Sequence, residues 1–173
     1  PVIDADILAR ELAAPGQPAL EEIINIFGPA ATRPDGQMDR DYIRQRIYSD
    51  EGLKSQLESV LHPKIRQRIR TLISEIRDPY CIVVIPLLLE TRQTDLVNRI
   101  LVVDTPEKEQ RQRVAARDGL SDNTIMAIIQ SQADRNTRLA AADDVIVNDS
   151  DIKSLNVRIQ ELHRHYMEMA YDH

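Results

Sequence analysis

Two carboxylates, Asp4 and Asp6, stand one residue apart behind the apolar opening Pro1-Val2-Ile3. An apolar run ending in Asp-Ala-Asp reads as a buried strand whose carboxyl end opens into a crevice, where ligands sit in open α/β sheets. Strand alternation sends both acids to the same side. One could then accept a proton from a hydroxyl while the other orders water or magnesium, as phosphoryl transfer requires to position its nucleophile. The same pair also suits a helix cap and a solvated turn, because Ile7, Leu8 and Leu12 start a helix at once.

A second set is cationic: Arg111, Arg117, Arg135 and Arg138. Arg135 and Arg138 are spaced i, i+3, on one helix face, and Gln132 precedes Arg135 by the same step. Stacked guanidiniums suit phosphates, which each fork can bind at two oxygens. A solvated helix face is the plainer reading of such charges. His62 fits a structural histidine at a kink or a contact to a polar ligand. Asn148, at a strand end, could cap the final helix or read a base edge. The four histidines lack metal-ligand spacing and give no zinc site.

The elements that must position these groups follow from periodicity. Leu20, Ile23, Ile24 and Phe27 mark a helix that Gly28 stops. Asp35-Gly36 is a turn, and Asp39 caps a helix through Ile43 and Ile47. Apolar positions from Leu53 to Ile76 continue as helix, with Pro63 predicting a bend between two helices. Ile82-Val83-Val84-Ile85 is an unbroken apolar run, expected of a parallel strand covered on both faces and ended by Pro86. Arg99 to Asp104 and Asp144 to Asn148 are two further strands. Between them, residues 107 to 117 form one helix; after Gly119, Ser121 caps another that runs through Ile125, Ile128 and Ile129 to Arg135 and Arg138. Ile152, Leu155, Ile159, Leu162 and Tyr166 mark a last amphipathic helix. Four strands linked by helices predict a mostly parallel α/β sheet.

The 173 residues make one domain or one core with insertions. At 42% hydrophobic and 3% aromatic, without Trp, the core is built from Ile, Leu and Val. A net charge of −6 argues against a general nucleic-acid binder. The lone Cys81 lies in an apolar run, reads as core packing and points to a reducing compartment. No apolar stretch approaches the roughly 20 residues a bilayer requires. The expected location is the cytoplasm, with no membrane or nucleic-acid partner.

In this order the pieces resemble the dephospho-coenzyme A kinases. The segments that carry the resemblance are Val2-Ile3-Asp4-Ala5-Asp6 with Ala9-Arg10-Glu11, Pro15-Gly16-Gln17-Pro18-Ala19-Leu20, and Asp35-Gly36 with Met38-Asp39-Arg40. Leu61-His62-Pro63-Lys64-Ile65-Arg66, Pro86-Leu87-Leu88 with Glu90, and Val102-Val103-Asp104 follow. Gln110, Arg113, Arg117-Asp118, Gln132, Arg135, Arg138 and Ala142-Asp143-Asp144-Val145-Ile146 complete the set.

The resemblance implies an α/β fold with a P-loop kinase-like parallel sheet flanked by helices, a helical substrate domain and a helical lid. The core would comprise residues 1–8, 79–106 and 143–173, the substrate domain 9–78 and the lid 107–142. It implies phosphorylation of the 3′-hydroxyl of dephospho-coenzyme A, with ATP and magnesium as cofactors and that small molecule as partner. Asp6 would be the base, with Arg135 and Arg138 over the ATP phosphates. Asp4, Arg10, His62, Arg66, Pro86 and Leu87 would surround the substrate, and Arg117 and Asn148 would serve ATP.

Two departures stand out. The family's Asn-x-Gly is here Asn148-Asp149-Ser150, and no GxxxxGK[ST] loop occurs in the sequence. The central first strand and P-loop are therefore expected to lie in about 25 to 30 further N-terminal residues, the size of a strand-loop-helix unit. The alternative is a catalytically incomplete fragment that binds coenzyme A-type ligands without ATP turnover.

Overall fold

A computed structural model describes residues 1–119, 121–149 and 151–171. They fall into two compact units, Pro1–Pro86 and Leu87–His173.

In the first unit, β1 (Val2–Asp4) runs into α1 (Ala5–Leu12), α2 (Pro18–Phe27), α3 (Arg40–Ser49), α4 (Glu51–Glu75) and finally β2 (Ile82–Val84). β2 returns parallel to β1, with Val2 opposite Ile82 and Asp4 opposite Val84. The carboxyl ends of both strands, bearing Asp4 and Pro86, thus share one sheet edge. The helices enclose their own core of Leu20, Ile23, Phe27, Ala31, Met38, Ile43 and Val60. Gly28 ends α2 as anticipated: its φ is 82°, in the left-handed region, and its N–H donates to Ile24 O at 2.8 Å.

The expected bend at Pro63 is not a break. α4 is one helix of 25 residues with Pro63 inside it. Proline removes the N–H that would bond the Ser59 carbonyl. The loss is outweighed because Val60, Ile65 and Ile69 on both sides of it are buried, and α1, α2 and α3 all pack on α4.

In the second unit, β3 (Leu101–Asp104) leads to α5 (Glu107–Asp118), α6 (Asp122–Gln130), α7 (Arg135–Ala141), β4 (Asp144–Val147) and α8 (Ile152–Tyr171). β3 and β4 pair parallel, Leu101 opposite Asp144 and Asp104 opposite Val147. Tyr166 on α8 donates to Asp144 Oδ2 at 2.8 Å, and Arg99 Nε bonds the same oxygen at 3.0 Å, fixing the last helix to the sheet.

Three sequence expectations need correction. The four strands form two separate two-stranded sheets. They are not covered on both faces either: Val103 and Val145 are 58% and 45% exposed, because alternate side chains of a two-stranded ribbon lack a layer above them. The helix predicted from Ser121 to Arg138 is two helices. Ser131 closes α6 by donating its N–H to Ala127 O at 3.1 Å, and Asp134 opens α7 by accepting from Thr137 N at 2.9 Å. A short carboxylate competes for backbone donors and restarts the helix there. Gln132 consequently lies in the turn, off the face that carries the arginines.

Candidate active site

The candidate residues divide between the units. In the first, Asp4 is the last residue of β1 and the cap of α1, accepting from Asp6 N at 2.8 Å and Ile7 N at 3.2 Å. Asp6 is therefore in the first turn of α1 rather than on the strand. Period-two alternation no longer relates the two acids, which corrects the same-side expectation. The plain cap reading holds for Asp4, whereas the exposed Asp6 carboxylate points from a helix N-terminus, where negative charge is favoured.

Arg10 is exposed in the last turn of α1. Partial burial, and after it the positive charge of Arg10, holds the Arg40 guanidinium below its ordinary value. Two guanidiniums whose charges repel one another are suited to an anion, and sequence reasoning did not single out Arg40. Its signal was present in the Asp-Arg pair that opens α3. His62 and Arg66 are one turn apart on α4, both half-buried, so they lie on one helix face. Pro86 follows β2 at the sheet edge that carries Asp4.

In the second unit Leu87 is exposed and begins a tightly bonded loop. Its carbonyl accepts from Thr91 N at 3.0 Å and from Thr91 Oγ1 at 2.5 Å, and Leu88 O accepts from Gln93 N at 3.0 Å. Arg117 is turned onto its neighbour Asp118 through both Nε and Nη2, each at 2.8 Å, so it does not join the other arginines. Asn148 does not cap the final helix; Asp151 does, accepting from Lys153 N at 2.7 Å and Ser154 N at 3.0 Å. The Asn148 backbone instead prolongs the strand pair, with its N–H on Asp104 O at 2.7 Å and its carbonyl accepting from Arg113 Nη2 at 3.0 Å. Ser150, the departure from the family's glycine, lies outside the described residues.

Arg135 and Arg138 share a face of α7 but have different partners. Arg135 grips Asp104 with both prongs, Nε to Oδ1 at 2.8 Å and Nη2 to Oδ2 at 2.6 Å. Asp104 is only 5% exposed, and the Arg135 bonds hold its carboxyl below the usual carboxylate range despite burial. Arg138 donates Nη1 to Ala133 O at 2.8 Å and has no other bonded partner among the described residues. Sequence reasoning missed Asp104 as a site residue, although an acid at the end of an apolar strand is the same signal that drew attention to Asp4.

Strands that pair in parallel among the described residues, acids at the carboxyl ends of β1 and β3, and a short helix presenting two guanidiniums are the parts of a phosphate-handling α/β enzyme. Residues 1–154 match the sequence model of dephospho-CoA kinase, and the chain belongs to that family. It is 46% identical to the dephospho-CoA kinase of Hahella chejuensis over 170 residues, 98% of this chain and 82% of that protein. The dephospho-CoA kinase of Coxiella burnetii is 46% identical over 171 residues, 98% of this chain and 86% of the relative. Among solved structures the chain is similar to TT1252 from Thermus thermophilus, with a TM-score of 0.81, 27% identity, and coverage of 95% of this chain and 84% of that one. The fold is also shared with dephospho-CoA kinase from Campylobacter jejuni, at a TM-score of 0.70 over 96% of this chain and 85% of that one. The family match runs from residue 1 to residue 154 of this chain.

Proposed function

We propose that this chain works as its family's name states, as a phosphotransferase that moves the γ-phosphoryl of ATP to the 3′-hydroxyl of dephospho-coenzyme A, the final step of coenzyme A synthesis. The observation that carries the residue assignment is α7. Its two guanidiniums are one turn apart; Asp104 orients one, and the other is bonded at a single nitrogen. Such a pair can neutralise charge on a transferring phosphoryl group.

Asp6 takes or orients the proton of the acceptor hydroxyl. It is exposed at the carboxyl end of β1, where a substrate can approach. Arg10, His62, Arg66, Pro86 and Leu87 bind the acceptor, and Arg117 and Asn148 serve ATP. Residues 9–78 act as the substrate domain and 107–142 as the lid, beside an α/β core of 1–8, 79–106 and 143–173.

ATP is handled as its magnesium complex. Asp4 fits a cation that keeps most of its waters, because the helix cap engages Oδ1 and leaves Oδ2. Magnesium bound with ATP supplies charge neutralisation at the phosphate oxygens. Among the described residues no helix is long and apolar enough to cross a membrane.

The test is direct. Full-length protein given ATP, magnesium and dephospho-coenzyme A is expected to release one ADP per coenzyme A formed, read by mass spectrometry. Turnover of nucleoside monophosphates instead would overturn the substrate. Tight coenzyme A binding with no ADP would favour a binding-only protein.

A further inference from the structure

We propose that Glu90 is a positioning residue for Arg138, acting through Ala133. Glu90 Oε1 accepts the Ala133 N–H at 2.7 Å across 43 residues of sequence. Ala133 O accepts from Arg138 Nη1 at 2.8 Å. The two bonds hold Ala133 from both sides, so the carboxylate sets where the guanidinium is anchored.

The arrangement has a chemical logic. A carboxylate bonded to Arg138 itself would compete with phosphate for the guanidinium. Glu90 instead bonds a backbone N–H, and Arg138 keeps its remaining donors: it has no other hydrogen-bond partner among the described residues, although its charge also reaches the Asp104 carboxyl. Arg135 shows the contrast, since its Nε and Nη2 are both taken by Asp104.

Glu90 is itself well held for this task. It lies in the loop that Leu87 opens, where Thr91, Arg92 and Gln93 donate their N–H groups to Leu87, Leu89 and Leu88 carbonyls at 3.0, 3.1 and 3.0 Å. Arg92 adopts a φ of 52°, a left-handed conformation that a non-glycine residue keeps only when its surroundings dictate it. The α6–α7 turn therefore has two long-range ties close to the arginines. Asp104 fixes Arg135, and Glu90 fixes Ala133, whose carbonyl accepts from Arg138.

The inference rests on the phosphate role proposed for Arg138, and a double-mutant cycle separates the two. In full-length protein, Glu90→Ala is expected to lower kcat about tenfold, the size of a typical coupling between neighbouring groups, with an unchanged thermal midpoint. Glu90→Gln, whose amide oxygen still accepts the Ala133 N–H, is expected to keep most of the turnover. Arg138→Ala is expected to lower kcat at least as far, and adding Glu90→Ala to it to have no further effect beyond about twofold. Equal losses from Glu90→Ala in both backgrounds would show that Glu90 does not act through Arg138. An impaired Arg138→Ala beside a normal Glu90→Ala would sink this inference alone. A normal Arg138→Ala would remove the phosphate role together with it.

Discussion

Arg135, the first residue of α7, and Asp104, the last residue of β3, are joined by two parallel hydrogen bonds of 2.8 and 2.6 Å. The acid is almost wholly buried, whereas the arginine side chain is 54% exposed. The strand end thus holds one edge of the guanidinium and leaves the other edge toward solvent. A planar fork fixed along one side is pre-oriented along the other, which reduces the ordering required when a phosphate arrives.

Arg135→Lys keeps the charge but cannot span both Asp104 oxygens. It is expected to lower kcat/KM for ATP on the order of tenfold, and Arg135→Ala about a hundredfold, the scale of losing one charge-stabilising donor. Asp104→Ala is expected to destabilise the protein by about 2 kcal/mol, measured by urea unfolding, because it removes a carboxylate bonded twice to a cation. Wild-type kinetics in Arg135→Ala would take Arg135 out of the site.

Asp6→Asn preserves size and the position at the start of α1 but removes the basic oxygen. Turnover is expected to fall by roughly 10²–10⁴-fold, the usual contribution of a general base, with the KM for dephospho-coenzyme A little changed. A rise in KM without loss of kcat would make Asp6 a binding residue instead.

Asp104 and Asp144 both have carboxyl groups held below the ordinary range, chiefly by bonds from Arg135 and Arg99 respectively. A carboxylate whose folded value lies below its unfolded value of about 3.9 adds stability that is fully present above that pH. That stability is lost as the pH falls through the folded value. The urea midpoint is therefore expected to decline below about pH 4, and Asp104→Asn should flatten the decline. An unchanged acid slope in that variant would show that the ion pair is not linked to folding.

Pro63→Ala restores the N–H that proline denies the Ser59 carbonyl in the middle of α4. The variant is expected to be more stable to urea by about 1–2 kcal/mol, a gain reduced by the extra freedom alanine gives the unfolded chain. Loss of stability would mean that the proline ring itself packs against a neighbour.

Much of the architecture was legible along the chain because its signals are local. Gly28 after an i, i+3, i+4, i+7 run, Asp39 and Ser121 as caps, and apolar runs ending in acids each depend on residues within one or two turns. The resemblance to the kinase family was legible for another reason: short, individually weak motifs kept their order over the whole length. Two local readings failed where local signals conflict. Pro63 argued for a break, but the buried side chains flanking it outweighed one missing hydrogen bond. The isoleucines of α6 pointed straight on to Arg138, until Asp134 captured the backbone and began a new helix.

Sequence alone determined which groups exist and several of the elements they ride on: an acid at the end of β1 and of β3, and guanidiniums i, i+3 on a helix. The partnerships were decided only in three dimensions. Arg135 meets Asp104 across 31 residues, and Ala133 meets Glu90 across 43. Spacing within a helix is set by its repeat, a property of consecutive residues. A hydrogen bond between a strand end and a distant helix depends on how the intervening chain packs, and no pattern of neighbouring residue types encodes that distance.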